Sequence, residues 1–200
     1  MTFNKKLITI AAAAAAFTAA GSAMAADGTI AFTGSITTAS CKLSGGAGSS
    51  VTGGAGAQEV AVNLGKVSAD SIGNSTSGGG IAAGTQVNLN LDCGETGTGL
   101  TTVKMKFDPV SGSGLDGKNN KLLKISGDAE GVGIGLFTAD NQLMNLAANE
   151  TINAPLVQGG TEAKPTYTAA LNLRAGYVAN GATVKAGTAN GTLPFTLTYE

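Results

Sequence analysis

The stretch Asp27–Cys41, D-G-T-I-A-F-T-G-S-I-T-T-A-S-C, alternates with a period of two. Gly28, Ile30, Phe32, Gly34 and Ile36 share one face, and Thr29, Ala31, Thr33 and Ser35 share the other. All the large apolar groups therefore lie on one side of an extended strand. No turn signal nearby would fold a partner back onto it. A strand with a burial face and no local partner must find its groove elsewhere, and this limits the chain more than any other feature.

Residues 1–25 read as a secretory signal peptide. Lys5 and Lys6 give a positive start, Leu7–Ala20 an apolar core, and Ala23-Met24-Ala25 an A-x-A cleavage site. The apolar run is shorter than the roughly 20 residues of a membrane-spanning helix. Residues 26–200 are enough for one domain with a core of its own. Of 12 basic and 13 acidic residues, two lysines lie in the leader, which leaves the exported part at −3. That balance excludes the electrostatic footprint of a nucleic-acid or anionic-lipid binder. Cys41 and Cys93 both lie in the exported part, and in an oxidising compartment such a pair is most simply a disulfide, with two free thiols as the alternative.

Along the chain, short apolar alternations are separated by turn signals. Ser44–Gly56 is rich in glycine and reads as a mobile surface loop. Val60, Val62 and Leu64 alternate, and Asp70–Gly84 is a polar connection. Val87, Leu89 and Leu91 run into Cys93, and Val103, Met105 and Phe107 run up to Asp108-Pro109. Leu123 and Ile125 read as a brief strand, Val132, Ile134 and Leu136 as another, and Leu143–Leu146 as its return. Tyr167–Tyr177 is the longest alternation, and Leu193, Phe195, Leu197 and Tyr199 share one face of a final strand. No segment has helical periodicity over the 11 residues or so that a helix assignment needs. The expected fold is an all-β sandwich.

Catalytic chemistry has few parts here. With no histidine, His-assisted nucleophiles and His-ligated metals are excluded, and the cysteines are pre-empted by the expected disulfide. Asp116-Gly117 and Asp128-Ala129-Glu130 lack the alternating oxygen ligands of a calcium loop and read as turns. Gly131, Gly133 and Gly135 lie within a strand pattern and are no nucleotide fingerprint. No catalytic residue, metal, cofactor or small-molecule substrate is expected. A secreted carbohydrate-binding sandwich is the alternative from another class, disfavoured because the chain has no Trp to serve as a sugar platform.

The two ends together resemble the type 1-like fimbrial subunits of the chaperone–usher pathway. The alternating extension with Gly34 precedes Cys41, the Cys41 and Cys93 spacing fits, Tyr199 is penultimate, and Gly187 is fourteenth from the end. Departures are the long Ser44–Gly56 tract and Pro194, which removes a donor at the start of the last strand. The resemblance implies an incomplete immunoglobulin-like sandwich lacking its final strand, with 26–38 as a donor-strand extension and 39–200 as the pilin domain. It implies that Gly28, Ile30, Phe32, Gly34 and Ile36 enter the groove of a neighbouring copy. It implies that Gly187, Leu193, Phe195, Leu197 and Tyr199 border the groove that receives such a strand. The implied partners are copies of the chain, a periplasmic chaperone, an outer-membrane usher and a tip adhesin, with export through the periplasm to the cell surface. A major rod subunit is the expected role, and a minor or adaptor subunit is the alternative. Terminal sequencing of the exported protein is expected to begin Ala26-Asp27-Gly28, and retention of residues 1–25 would contradict the leader assignment.

Overall fold

The computed structural model describes residues 41–54, 57–72 and 84–200. Among these the chain forms ten strands: β1 (Lys42–Gly45), β2 (Ser49–Gly54), β3 (Ala57–Val62), β4 (Thr85–Gly94), β5 (Thr102–Phe107), β6 (Val132–Thr138), β7 (Thr151–Pro155), β8 (Val157–Thr161), β9 (Lys164–Ala179) and β10 (Phe195–Tyr199). The one α-helix among them is the single turn α1 (Ala69–Ile72). All strand pairs are antiparallel.

One sheet runs β1-β4-β9-β6, with β8 also paired to β9. β8 and β6 succeed one another along the edge of β9 opposite β4, since β8 meets Lys164–Thr168 and β6 meets Leu173–Ala179. A second sheet runs β10-β5-β7, and β2 and β3 form a separate hairpin. The inward faces of the two larger sheets contribute to one apolar core, which makes the domain a β-sandwich.

Register explains why that core is continuous. Across β4 and β9, Val87 faces Leu173, Leu89 faces Leu171 and Leu91 faces Ala169. Across the second sheet, Val103 lies between Tyr199 and Ala154, and Met105 between Leu197 and Ile152. These inward apolar residues thus meet one another at the same level. Leu171 and Val103 are fully buried, and each such side chain contributes roughly 1.5–3 kcal/mol. Cys41 and Cys93 are joined as a disulfide and tie the entry to β1 to the end of β4. Closing a loop of that length constrains the unfolded chain by about 4 kcal/mol in the entropy account.

Several expectations are corrected. The Ser44–Gly56 tract is not simply a loop, because β1 ends in it and Ser49–Gly54 is β2, with Val51 opposite Val60 in β3. Val51, Val60 and Val62 pack on the core, and this apolar pairing outweighs the glycine content. Leu123 and Ile125 form no strand; Leu123 makes only isolated bridges to Leu115 and Ile134. Leu143 returns as a bridge to Phe137, followed by a short 3-10 turn at Leu146–Ala148. β7 and β8 went unread because T-I-N-A-P offers only two inward apolar residues and V-Q-G-G-T is exposed throughout.

β6 is buried on both faces. Its outer face meets a second cluster of Leu122, Phe137 and Val178 with Leu143 against it. Gly133 makes this possible, since a Cβ there would lie 2.8 Å from Leu122 Cβ. The loop supplying Leu122 is organised by Asp116, which is 9% exposed. The amides of Lys118 and Asn119 donate to its Oδ1, both at 2.9 Å, and Asn180 Nδ2 donates to its Oδ2 at 2.9 Å. Asp116→Ala leaves these three donors without their acceptor. It is expected to destabilise the domain by roughly 2–3 kcal/mol, read as a lowered denaturant midpoint; an unchanged midpoint would show that water replaces the carboxylate.

Candidate functional site

β10 lies at the edge of its sheet, paired with β5 on one side. Glu200 exchanges both backbone hydrogen bonds with Thr102, each 2.9 Å, and the Asp108 N–H donates to the Pro194 carbonyl at 2.8 Å. Hydrogen-bonded pairs recur at every second residue of an antiparallel ladder. Thr196 and Thr198 therefore turn their backbone groups toward β5, while Phe195, Leu197 and Tyr199 turn theirs to the opposite edge. Among the described residues no strand pairs that edge.

The same three residues send their side chains inward. Phe195, Leu197 and Tyr199 are half-buried against the core, while Thr196 and Thr198 are exposed. Among the described residues, the edge thus leaves three N–H and three C=O groups without a strand partner beside a half-buried apolar face. That is the arrangement to which a further strand adds, by main-chain hydrogen bonds and alternate side chains. Pro194 does not weaken it: its parity is that of Thr196, so its missing donor falls on the β5 side. On the outer face, Lys104 pairs with Glu200 at 2.6 Å; this exposed ion pair contributes little.

Four residues before β10, the chain lines a cleft of about 1070 Å³. One wall is the segment 184–191, and residues 61–67 lie in the lining from the β3 side. Val132, Ile134 and Tyr177 of the first sheet open onto it. Gly187 falls in this wall, outside β10, and its backbone runs hard against its neighbour. A Cβ there would lie 2.4 Å from Ala129 N and 2.5 Å from Asp128 C, which only glycine avoids. Leu193 precedes β10 and is half-buried on the core. Gly28, Ile30, Phe32, Gly34 and Ile36 lie outside the described residues, as do residues 1–25.

Two tyrosines border the site. The Tyr177 hydroxyl donates to the Ala189 carbonyl at 2.8 Å. Burial pushes its ionisation above the ordinary tyrosine value. Burial does the same for Tyr199, with the Cys41 backbone hydrogen bond to its hydroxyl acting in the opposite direction. Tyr177 was legible in the sequence only as a strand residue, because its partner is an alanine carbonyl whose approach no pattern records.

The fimbrial protein family profile matches residues 30–200, and the chain belongs to that family. Its fold is an all-β sandwich of antiparallel sheets. Among solved structures, the chain is similar to the CupB6 tip adhesin from Pseudomonas aeruginosa, with 23% identity and a TM-score of 0.37. That match covers 56% of this chain and 30% of the adhesin, so the chain corresponds to less than a third of it. No curated relative matches.

The tyrosines set an alkaline limit. The folded chain holds both phenols protonated more firmly than the unfolded chain does. Their contribution is intact below the ordinary tyrosine value of about 10 and is lost as pH rises through their elevated values. Denaturant midpoints taken across that range are expected to fall on the alkaline side, in step with the tyrosinate absorbance of Tyr177 and Tyr199. Midpoints that stay level while both ionise would contradict it.

Proposed function

We propose that this chain is a structural subunit of a chaperone–usher fimbria, the repeating rod subunit, which receives the N-terminal extension of a neighbouring copy along the open edge of β10. The observation that carries this reading is the coincidence, in Phe195, Leu197 and Tyr199, of half-buried side chains with backbone groups that no described strand pairs. A strand alternating apolar and small residues satisfies both needs at once, and Gly28–Ile36 is such a strand.

Residues 26–38 are then the donated extension and residues 39–200 the domain that accepts one. Ile30, Phe32 and Ile36 fill the face left open between the sheets, and Gly34 takes the shallow position beside them. A chain with both a donor and an acceptor end repeats head to tail, and because the contact does not close on itself it builds a filament. Membership of the fimbrial family supports a role in assembly. An exposed edge of this kind aggregates unless covered, which supports a periplasmic chaperone holding the edge and an outer-membrane usher exchanging it for the next extension. A tip adhesin would occupy the far end of such a rod.

Gly34→Leu tests the reading. Position 34 shares the inward face with Ile30, Phe32 and Ile36, so a leucine there clashes in the neighbour's groove at about 1–3 kcal/mol or lifts the strand off its ladder. The variant is expected to fold and to assemble poorly, whereas Thr33→Leu, facing outward, assembles normally. The measurement is filament formation by electron microscopy of cells expressing each variant. Equal assembly of the two would remove the donor-strand assignment.

A further inference from the structure

We propose that Tyr177 is a positioning residue of the acceptor site. Its hydroxyl holds the 184–191 wall of the cleft in the place an incoming strand meets, so that the wall need not be ordered on binding. The inference rests on the reading above, in which the β10 edge takes a donated strand, and extends that acceptor surface to the cleft lined by 184–191, the segment that leads into β10.

The wall belongs to none of the ten strands. One of its edges is fastened to the segment 126–130. Ser126 and Asn190 exchange both backbone bonds at 2.8 Å, Ala129 N–H donates to the Thr188 carbonyl at 3.0 Å, and Lys185 and Glu130 exchange bonds of 3.0 and 3.2 Å. Asn190 thus turns its backbone toward Ser126, and the alternation sends the Ala189 carbonyl the other way. There it meets the Tyr177 hydroxyl.

Tyr177 is well placed to act as an anchor. It sits on β9 opposite Ile134 of β6, with its ring against the core. Beyond its bonds to 126–130, the wall has little apolar burial to hold it against the cleft. Lys185, Ala186, Gly187 and Thr188 are exposed, and only Val184 and Ala189 are half-buried. A segment with so few apolar contacts opens locally at small cost. The bonds to 126–130 hold one side of the wall, and the Tyr177 hydroxyl, reaching from a rigid sheet, holds the other side in place. A surface already in place binds more tightly than one that must be ordered at the moment of contact.

The test uses the full mature chain, wild type and Tyr177→Phe, with a synthetic peptide of residues Gly28–Thr38 as the incoming strand. Phenylalanine keeps the ring against the core, so the domain folds. The expected result is peptide affinity lowered about tenfold, the scale of one lost hydrogen bond. Amide hydrogen exchange at Lys185–Asn190 is expected to rise by a similar factor while β4 and β9 keep their protection. Unchanged peptide affinity overturns the proposal. So does exchange that rises uniformly through β4 and β9, since that marks a general loss of stability. If the wild-type chain fails to bind the peptide, the acceptor reading itself falls, and this inference with it.

Discussion

An antiparallel strand divides its backbone groups between two neighbours by parity, and in β10 that division coincides with the division of its side chains. The residues whose amides and carbonyls leave the ladder, Phe195, Leu197 and Tyr199, are also those whose side chains belong to the core. Hydrogen bonding and apolar burial are therefore left unfinished at the same positions, and a single extended segment can complete both. Most exposed sheet edges are defended by charge, proline or a bulge. Here the proline, Pro194, stands at the entrance and turns its missing donor toward β5, so the outward edge of β10 keeps its donors.

The remainder of the domain is built to tolerate this edge. The first sheet carries its apolar residues in register from Val87 and Leu173 through Leu91 and Ala169, and the disulfide fixes the end of β4 to the entry of β1. β6 is covered on its outer face by a separate cluster, whose loop is held by a carboxylate accepting three hydrogen bonds. These features lie in the sheet opposite β10 or on its far side.

The strands legible in the sequence were those whose inward residues are regularly spaced: β4, β5, β6, β9 and β10 each show at least three alternating apolar residues, and β3 shows Val60 and Val62 with Leu64 just beyond it. What could not be read depended on packing at a distance. β2 was hidden in a glycine-rich tract because Val51 is its one apolar side chain, and its role appears only opposite Val60. β7 has two inward residues, and β8, exposed throughout, has none. Gly187 could be singled out by position, but not its contact, since the backbone of Asp128 and Ala129 lies nearly sixty residues earlier. The bond from Tyr177 to Ala189 was invisible for the same reason, as one partner is a main-chain carbonyl.

The β8 and β9 hairpin stands apart from all of this. β8 is exposed along its whole length, and so is its turn at Glu162 and Ala163. Its hydrogen bonds run only to the first residues of β9, ahead of the stretch that pairs with β6. Foreign sequence spliced into that turn would meet solvent and not the apolar core, which makes the hairpin a natural point for display of an epitope or enzyme.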